Sequence, residues 1–449
     1  MKPIRVIGAG LAGCEAAWQA ARLGVPVNLY EMKPKRFSPA HKYPGFAELV
    51  CSNSLRSAQL SNAVGLLKEE MRRLGSLVIG AADETKVPAG AALAVDRERF
   101  SDLITEKIRN NPLITVVSEE VDTIPPDGVT VVATGPLTDG KLAEAISDLF
   151  GGDELSFFDA VAPIVEGDSV DLSVAYYASR YGKGEPTDYL NCPMDREQYD
   201  AFYDALLHAE LAPLHDFDAE AQKEPTVFEG CMPVEVMAKR GYDTLRYGPM
   251  KPIGLPDPKT GREPFAVVQL RRENAEGTMY NLVGFQTHLT YGEQKRVFGL
   301  IPGLHDASFV RFGVMHRNTY VYSPGRLSPQ YETLFRPGLF FAGQMTGVEG
   351  YVESASSGFV AGISAALRAR GEELPDFPAS TVIGSLGHYV AEGTIGKFQP
   401  MNASFGLLSP LEYKVKGGKR KRNDEYATRS LETIGHLNAR LFGDEEKEV

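Results

Sequence analysis

A chain of 449 residues, 43% of them hydrophobic and 24% charged, has the composition of an ordinary soluble protein and the length for two or three domains. No uninterrupted apolar run approaches a membrane span, and the N-terminus passes straight into a β-strand instead of a signal peptide, which points to a cytoplasmic protein with no membrane partner. The formal net charge of -12 disfavours nonspecific attraction to nucleic acid but leaves room for a local basic patch.

The chain opens on its most informative stretch. Val6 and Ile7 lead into Gly8-Ala9-Gly10-Leu11-Ala12-Gly13, followed by an alanine-rich helical pattern and a second apolar run that ends at Glu31. Strand, tight turn, helix and strand in that order make a dinucleotide-binding βαβ unit. Gly8 permits the turn, Gly10 lets the backbone approach a pyrophosphate at the positive end of the helix, and Gly13 allows the helix to pack closely on the strand. Glu31 is placed to accept hydrogen bonds from a ribose 2′-hydroxyl, and its charge would repel a 2′-phosphate.

Next comes Phe46 to Ser57, in which an apolar segment gives way at Cys51 to small polar residues of the kind that cap helices, with an amphipathic pattern from Val64 to Leu74. A thiol near a helix N-terminus, with Arg56 close in sequence, would be activated. The passage alone describes a small residue filling a turn slightly better. Ala94 to Ile108 reads as a further helix, with Arg97 and Arg99 near its start, and Val129 to Gly135 as a buried strand ending in Ala-Thr-Gly, which carries a first domain to about residue 150.

From Asp159 to Tyr331 short strand-like runs, many tyrosines and frequent Gly and Pro surround a helical stretch near Arg196 to Leu211, the pattern of an inserted α+β domain. Within it, Pro233 suits a first helical position and Gly241 a helix stop, so Cys231 falls just before a short helix. Cys192, followed by Pro193, is locally equivalent, whereas Cys14 reads as a small buried residue of the first helix. The four cysteines show no CxxC spacing, so neither a disulfide framework nor a metal site is expected.

Gly338 to Gln344 is a strand and glycine turn, and the small-residue helix that follows, Ser354 to Leu367, permits close approach of a ligand or another backbone. With the opening unit and the Ala-Thr-Gly strand, this return segment resembles the dispersed parts of an FAD-binding domain of the glutathione-reductase type. The expected fold is therefore α/β and Rossmann-like: residues 1–150 form the first part of the FAD domain, 151–330 an inserted α+β substrate domain, and 331–449 the return segment and a helical tail. The tail carries Lys414, Lys416, Lys419, Arg420, Lys421 and Arg422, either a solvated charge run or a phosphate-binding patch.

Six blocks carry a more specific resemblance: GAGLAGCEAA at Gly8 to Ala17, AELVCSNSLRS at Ala47 to Ser57, NCPM at Asn191 to Met194, FEGCMPVEVMAKRGYDTLRYGPMKP at Phe228 to Pro252, GVMHRNTY at Gly313 to Tyr320, and FFAGQMTGVEGYVESASSG at Phe340 to Gly358. Together they resemble the folate-dependent, FAD-containing tRNA uracil-5-methyltransferases, which form ribothymidine in the T-loop. A generic flavoprotein has Asp where this chain has Gln344, and the methyltransferases share this departure. The sister family that installs carboxymethylaminomethyl groups on wobble uridine has the same scaffold with a longer C-terminal region.

The resemblance implies FAD as cofactor, held by Gly8, Ala9, Gly10, Leu11, Ala12, Gly13, Glu31, Gly343 and Gln344. It implies methylenetetrahydrofolate as one-carbon donor, NADH or NADPH as reductant, and the T-arm of tRNA as partner, with no obligate protein partner. Uracil C5 becomes nucleophilic only after a thiolate adds to C6, and the one-carbon unit then needs a hydride. By resemblance Cys231 is that nucleophile and Cys51 a second functional thiol near the flavin, in proton transfer. Two alternatives are another uridine-modifying flavoprotein and a flavin-disulfide oxidoreductase pairing Cys51 with Cys231, although such enzymes usually keep their thiols a few residues apart.

Overall fold

The computed structural model describes the chain except residues 39, 153, 161, 213–231, 275, 314, 394–397 and 444–449, and gives only the backbone of strand residues 154–160 and 315–317. In chain order the first elements are β1 (Ile4–Ile7), α1 (Leu11–Arg22), β2 (Val27–Tyr30), β3 (Ser54–Ser57), α2 (Ala63–Arg73), α3 (Leu77–Glu84), β4 (Lys86–Val87), β5 (Ala92–Val95), α4 (Arg97–Asn110), β6 (Ile114–Val117), β7 (Thr130–Val132) and α5 (Gly140–Leu149). The middle contributes β8 (Glu154–Ala160), β9 (Ile164–Glu166), β10 (Tyr176–Tyr177), β11 (Tyr189–Met194), α6 (Arg196–Leu207), α7 (Val234–Lys239), α8 (Thr244–Tyr247), β12 (Ala266–Arg272), β13 (Met279–Leu282), α9 (Tyr291–Phe298), β14 (Phe309–Arg311) and β15 (Met315–Val321). The chain then adds β16 (Leu339–Phe341), α10 (Tyr351–Arg370), α11 (Val382–Glu392) and α12 (Gly418–Phe442).

Five of these strands form a parallel sheet in the order β16-β7-β1-β2-β6, so the Ala-Thr-Gly strand lies beside the opening strand and the return segment beside that. Ile4, Val6, Leu29, Val131 and Phe340 are each at most 1% exposed, as expected for parallel strands covered on both faces. A fully buried side chain of Phe size contributes about 1.5–3 kcal/mol. Helix α10 crosses α1 so closely that a Cβ on Gly358 would lie 2.1 Å from the Ala12 carbonyl oxygen, and one on Gly362 2.4 Å from that of Ala16. The small residues of the late helix thus admit another backbone. Two buried carboxylates lock the surrounding helices: Glu15 accepts from the Ser76 hydroxyl and the Val78 N–H at the start of α3, and Glu70 from the Val382 and Ile383 N–H groups at the start of α11.

The middle of the chain builds a separate antiparallel sheet, β10-β11-β12-β13-β9-β14, with its own core around Leu190, Phe202, Leu245, Val268, Phe285 and Phe298. β8 pairs with β15 along seven residue pairs as a separate two-stranded sheet.

Several local expectations shift. Helix α4 starts at Arg97, because Ala94 belongs to β5 and Asp96 caps the helix by accepting from the Arg99 N–H. The helix expected after Cys51 is α2, but it starts only at Ala63, so Cys51 does not stand at its N-terminus. Asn53 instead donates its side-chain amide to the Val95 and Arg272 carbonyls, drawing the chain into β3, which pairs with β5. Cys192 sits inside β11 opposite Val268, and α6 begins only at Arg196, behind a capping box of Asp195 and Gln198, and ends at Leu207. Pro233 is the N-cap of α7 instead of its first helical residue.

Candidate functional site

The glycine turn fits its expected role at each position. Gly8 has φ +96°, and a Cβ there would meet the Ala133 carbonyl oxygen at 2.6 Å. A Cβ on Gly13 would lie 1.8 Å from the Gly8 carbonyl oxygen, so only glycine lets α1 seat on the turn. Gly10 faces open space and borders two cavities that meet there. The larger, about 400 Å³, runs between Gly10, the Cys51–Arg56 loop, the Thr134–Leu137 turn after β7, the end of β13 and the Gly343–Ser354 segment. The smaller, about 110 Å³, continues past Ala9 and Thr134 to Tyr30 and Glu31. Together they trace an extended channel from the end of β2 across the glycine turn to the N-terminus of α10, a shape that suits a dinucleotide.

Glu31 is 7% exposed and ties the turn together. Its Oε2 accepts the Ala9 N–H at 2.8 Å and its Oε1 the Lys33 N–H at 2.9 Å, which leaves a lone pair on each oxygen for a ribose hydroxyl. Ala9, Leu11 and Ala12 line the channel or its walls beside it. At the far end, the Gly343 N–H donates to Ser357 Oγ at 2.7 Å, and Gln344 Nε2 donates to Glu349 Oε1 at 2.9 Å, so both expected residues border the larger cavity with their polar groups fixed. His41 stands where the cavities meet. Its Nδ1 lies 2.6 Å from Ser38 Oγ, and burial, aided by the Lys33 ammonium, lowers its pKa to about 4, so it is neutral at physiological pH.

Cys51 borders the larger cavity, held from two sides. Arg97 donates from Nη1 to the Leu49 and Val50 carbonyls at 2.6 and 3.1 Å and is itself ion-paired with buried Glu273. Tyr351, the first residue of α10, accepts the Cys51 N–H at 2.7 Å and the Ser52 N–H at 3.2 Å, and its hydroxyl lies 2.9 Å from Cys51 Sγ. Burial, together with the neighbouring Cys51, pushes the Tyr351 phenol well above its ordinary pKa, so it keeps its proton. With two N–H groups already pointing at the oxygen, that proton is aimed at Sγ. The helix end that Cys51 meets is therefore that of α10, from the other end of the chain.

The remaining thiols separate cleanly. Cys192 is fully buried and burial pushes it up to about 12, while Cys14, also fully buried, donates to the Ala9 carbonyl at 3.3 Å and is pushed up further. Both are packing residues. Cys231 lies outside the described residues; the described chain resumes at Met232 and enters α7. Of the basic residues, Lys414, Lys416, Lys419, Arg420, Lys421, Arg422, Lys239 and Arg240 are exposed, and the last four of the tail run occupy the first turn of α12. Arg271 is not among them: it is 6% exposed and lines the larger cavity. Sequence reasoning assigned no chemistry to Tyr351, Arg97, His41 or Asn281, although Tyr351 stands in a quoted block.

Comparison with known proteins agrees with this arrangement. A family model described as glucose inhibited division protein A matches residues 3–373. Proteins named methylenetetrahydrofolate–tRNA-(uracil-5-)-methyltransferase are 59% identical over 431 residues in Acetivibrio thermocellus (96% of this chain, 97% of that protein) and 60% identical over 436 residues in Heliobacterium modesticaldum (97% and 98%). Among solved structures, Aquifex aeolicus GidA in two crystal forms superposes with TM-scores of 0.69 and 0.70 at 20% identity, covering 99% of this chain and 74% and 77% of those chains. That likeness establishes the shared fold.

Proposed function

The chain belongs to the glucose inhibited division protein A family and, within it, to the methylenetetrahydrofolate–tRNA-(uracil-5-)-methyltransferases, and from that premise we propose that it methylates C5 of the T-loop uridine of tRNA. The one-carbon unit comes from methylenetetrahydrofolate. The observation that carries the proposal beyond family membership is the coincidence, in one cavity, of a dinucleotide-shaped channel and a thiol held by a protonated phenol.

FAD fits the channel. Gly8 to Gly13 would cradle its pyrophosphate, Glu31 its adenosine ribose, and Gly343, Gln344 and the start of α10 its ring system. When bound and reduced, FAD supplies the hydride that completes the methyl group, with NADH or NADPH as the source of electrons. The chain's own groups do the rest. Cys231 is the nucleophile toward uracil C6, and Cys51, with Tyr351 as its hydrogen-bond donor, acts in proton transfer near C5, whose proton must leave before the hydride completes the methyl group. Residues 1–150 and 331–449 bind the cofactor, residues 151–330 present the RNA, and the basic start of α12 meets the phosphates of the T-arm. No helix among the described residues is long and apolar enough to cross a membrane, and the cytoplasm is the compartment that holds this substrate.

The test is direct. The purified protein is incubated with FAD, NADPH, deuterium-labelled methylenetetrahydrofolate and unmodified tRNA, and the digested nucleosides are analysed by mass spectrometry. Labelled 5-methyluridine at the T-loop position supports the proposal, and its absence with the folate consumed or untouched sinks it.

A further inference from the structure

The antiparallel sheet contributes a polar pair to the larger cavity that the channel does not use. Arg271 of β12 and Asn281 of β13 stand directly opposite each other in register, so their side chains leave the same face of the sheet, and both border the cavity. Asn281 is 2% exposed, and its Nδ2 meets no hydrogen-bond partner among the described residues. Arg271 is 6% exposed; Nε donates to Asn53 Oδ1 at 3.0 Å and Nη2 to Ser52 Oγ at 2.8 Å, which leaves donors over from the five of a guanidinium.

The next polar pair along the same two-residue repeat, Asn191 and Gln269, shows what a purely structural pair looks like. Asn191 Nδ2 donates to the Tyr176 and Ala178 carbonyls, its Oδ1 accepts from Gln269 Nε2, and Gln269 Oε1 accepts from Arg180. Its hydrogen bonds close within the protein. A buried amide without a partner beside a buried cation is costly unless something else supplies an acceptor.

We infer that Arg271 and Asn281 bind the C4 carbonyl edge of the target uracil and hold the negative charge that develops there. The assignment rests on the methyltransferase reading above. When a thiolate adds to C6, the S–C6 bond forms, the C5=C6 π pair becomes a C4=C5 π bond, and the C4=O4 π pair moves onto O4. The charge of the sulfur thus arrives on O4, and no proton moves in that step. The pair returns from O4 when C5 attacks the one-carbon unit. A cation and a neutral N–H donor side by side, attached to the same loop as Cys51 through Ser52 and Asn53, are what such an oxyanion requires. Arg271 is then a catalytic residue spared for the base, which explains why a basic residue is buried instead of joining the surface that meets RNA phosphates.

Asn281→Ala and Asn281→Asp test this, with Asn281→Ser in place of the first if it fails to retain FAD. Each variant is compared with the wild type for bound flavin, for the spectral shift of the flavin on adding tetrahydrofolate, and for the rate of covalent trapping of T-arm RNA containing 5-fluorouracil. Trapping is expected to fall about 10²-fold or more in Asn281→Ala, and further in Asn281→Asp, with bound flavin and the tetrahydrofolate response unchanged. The order separates the roles, because Asp would pair well with Arg271 and satisfy a merely structural requirement while repelling an oxyanion. Trapping at the wild-type rate in both variants overturns the assignment alone, and so does loss of the tetrahydrofolate response with trapping intact, which would give the pair to the pterin. A wild type that traps nothing overturns the methyltransferase reading, and this assignment with it.

Discussion

Replacing Tyr351 with Phe removes a single oxygen that serves three contacts. It accepts the N–H of Cys51 at 2.7 Å and of Ser52 at 3.2 Å, and it lies 2.9 Å from Cys51 Sγ. The two backbone bonds are each worth about 0.5–1.5 kcal/mol net, so the stability lost is about 1–3 kcal/mol, a fall in melting temperature of roughly 1–3 °C for a chain of this length. The thiol effect is the larger one. A hydrogen bond to a charged acceptor is worth about 1.5–3 kcal/mol, so losing the phenol donor should lower the thiolate population, and with it the alkylation rate of Cys51, roughly ten- to a hundredfold at neutral pH. The assay is iodoacetamide labelling followed by peptide mass spectrometry, which reads Cys51 apart from the other thiols, together with kcat for methylation. Cys51 labelled at equal rates in Tyr351→Phe and wild type would refute the reasoning, since the contact would then hold only the loop.

Three further outcomes follow from the site. Gly8→Ala and Gly13→Ala should each abolish flavin retention, because their Cβ atoms would sit 2.6 and 1.8 Å from backbone oxygens; a yellow Gly13→Ala protein with normal absorbance at the flavin band would contradict the packing. His41 has a folded pKa of about 4 against 6.5 for the free group, so the unfolded chain binds the extra proton first and stability falls as the pH drops from about 6.5 to 4. Thermal melts across that window should show a shallower loss in His41→Gln, and an equal loss would remove His41 as its source. Reversing the charges of Lys419, Arg420, Lys421 and Arg422 should reduce the slope of log affinity for tRNA against log salt by as much as ~3 while leaving NAD(P)H-driven flavin reduction unchanged. An unaltered slope would make the start of α12 a solvated charge run.

Much of this site could be read from the sequence because its logic is local. The spacing of Gly8, Gly10 and Gly13 and the position of Glu31 are set within one βαβ unit, and the structure realises them within that unit. Contacts between remote segments were not legible. Tyr351 reaches Cys51 across 300 residues, and Arg97 reaches Glu273 across 176, with no local pattern to announce either. Ser52 and Asn53 look like helix caps because short polar side chains satisfy backbone groups, but here they satisfy those of other strands and the Arg271 guanidinium. Cys192 precedes a proline much as Cys231 does; its burial in the second core, which neighbouring residues cannot reveal, marks it as a packing residue.

The central claim is that a thiol of this chain attacks uracil C6 in a cavity shared with FAD. Its most direct test is to incubate the FAD-loaded protein with T-arm RNA carrying 5-fluorouracil at the target position, isolate any RNA–protein adduct under denaturing conditions, and map the modified peptide. The account predicts a stable adduct on Cys231 that disappears in Cys231→Ala and persists in Cys192→Ala. An adduct formed equally by Cys231→Ala, or none formed by the wild type, would contradict it.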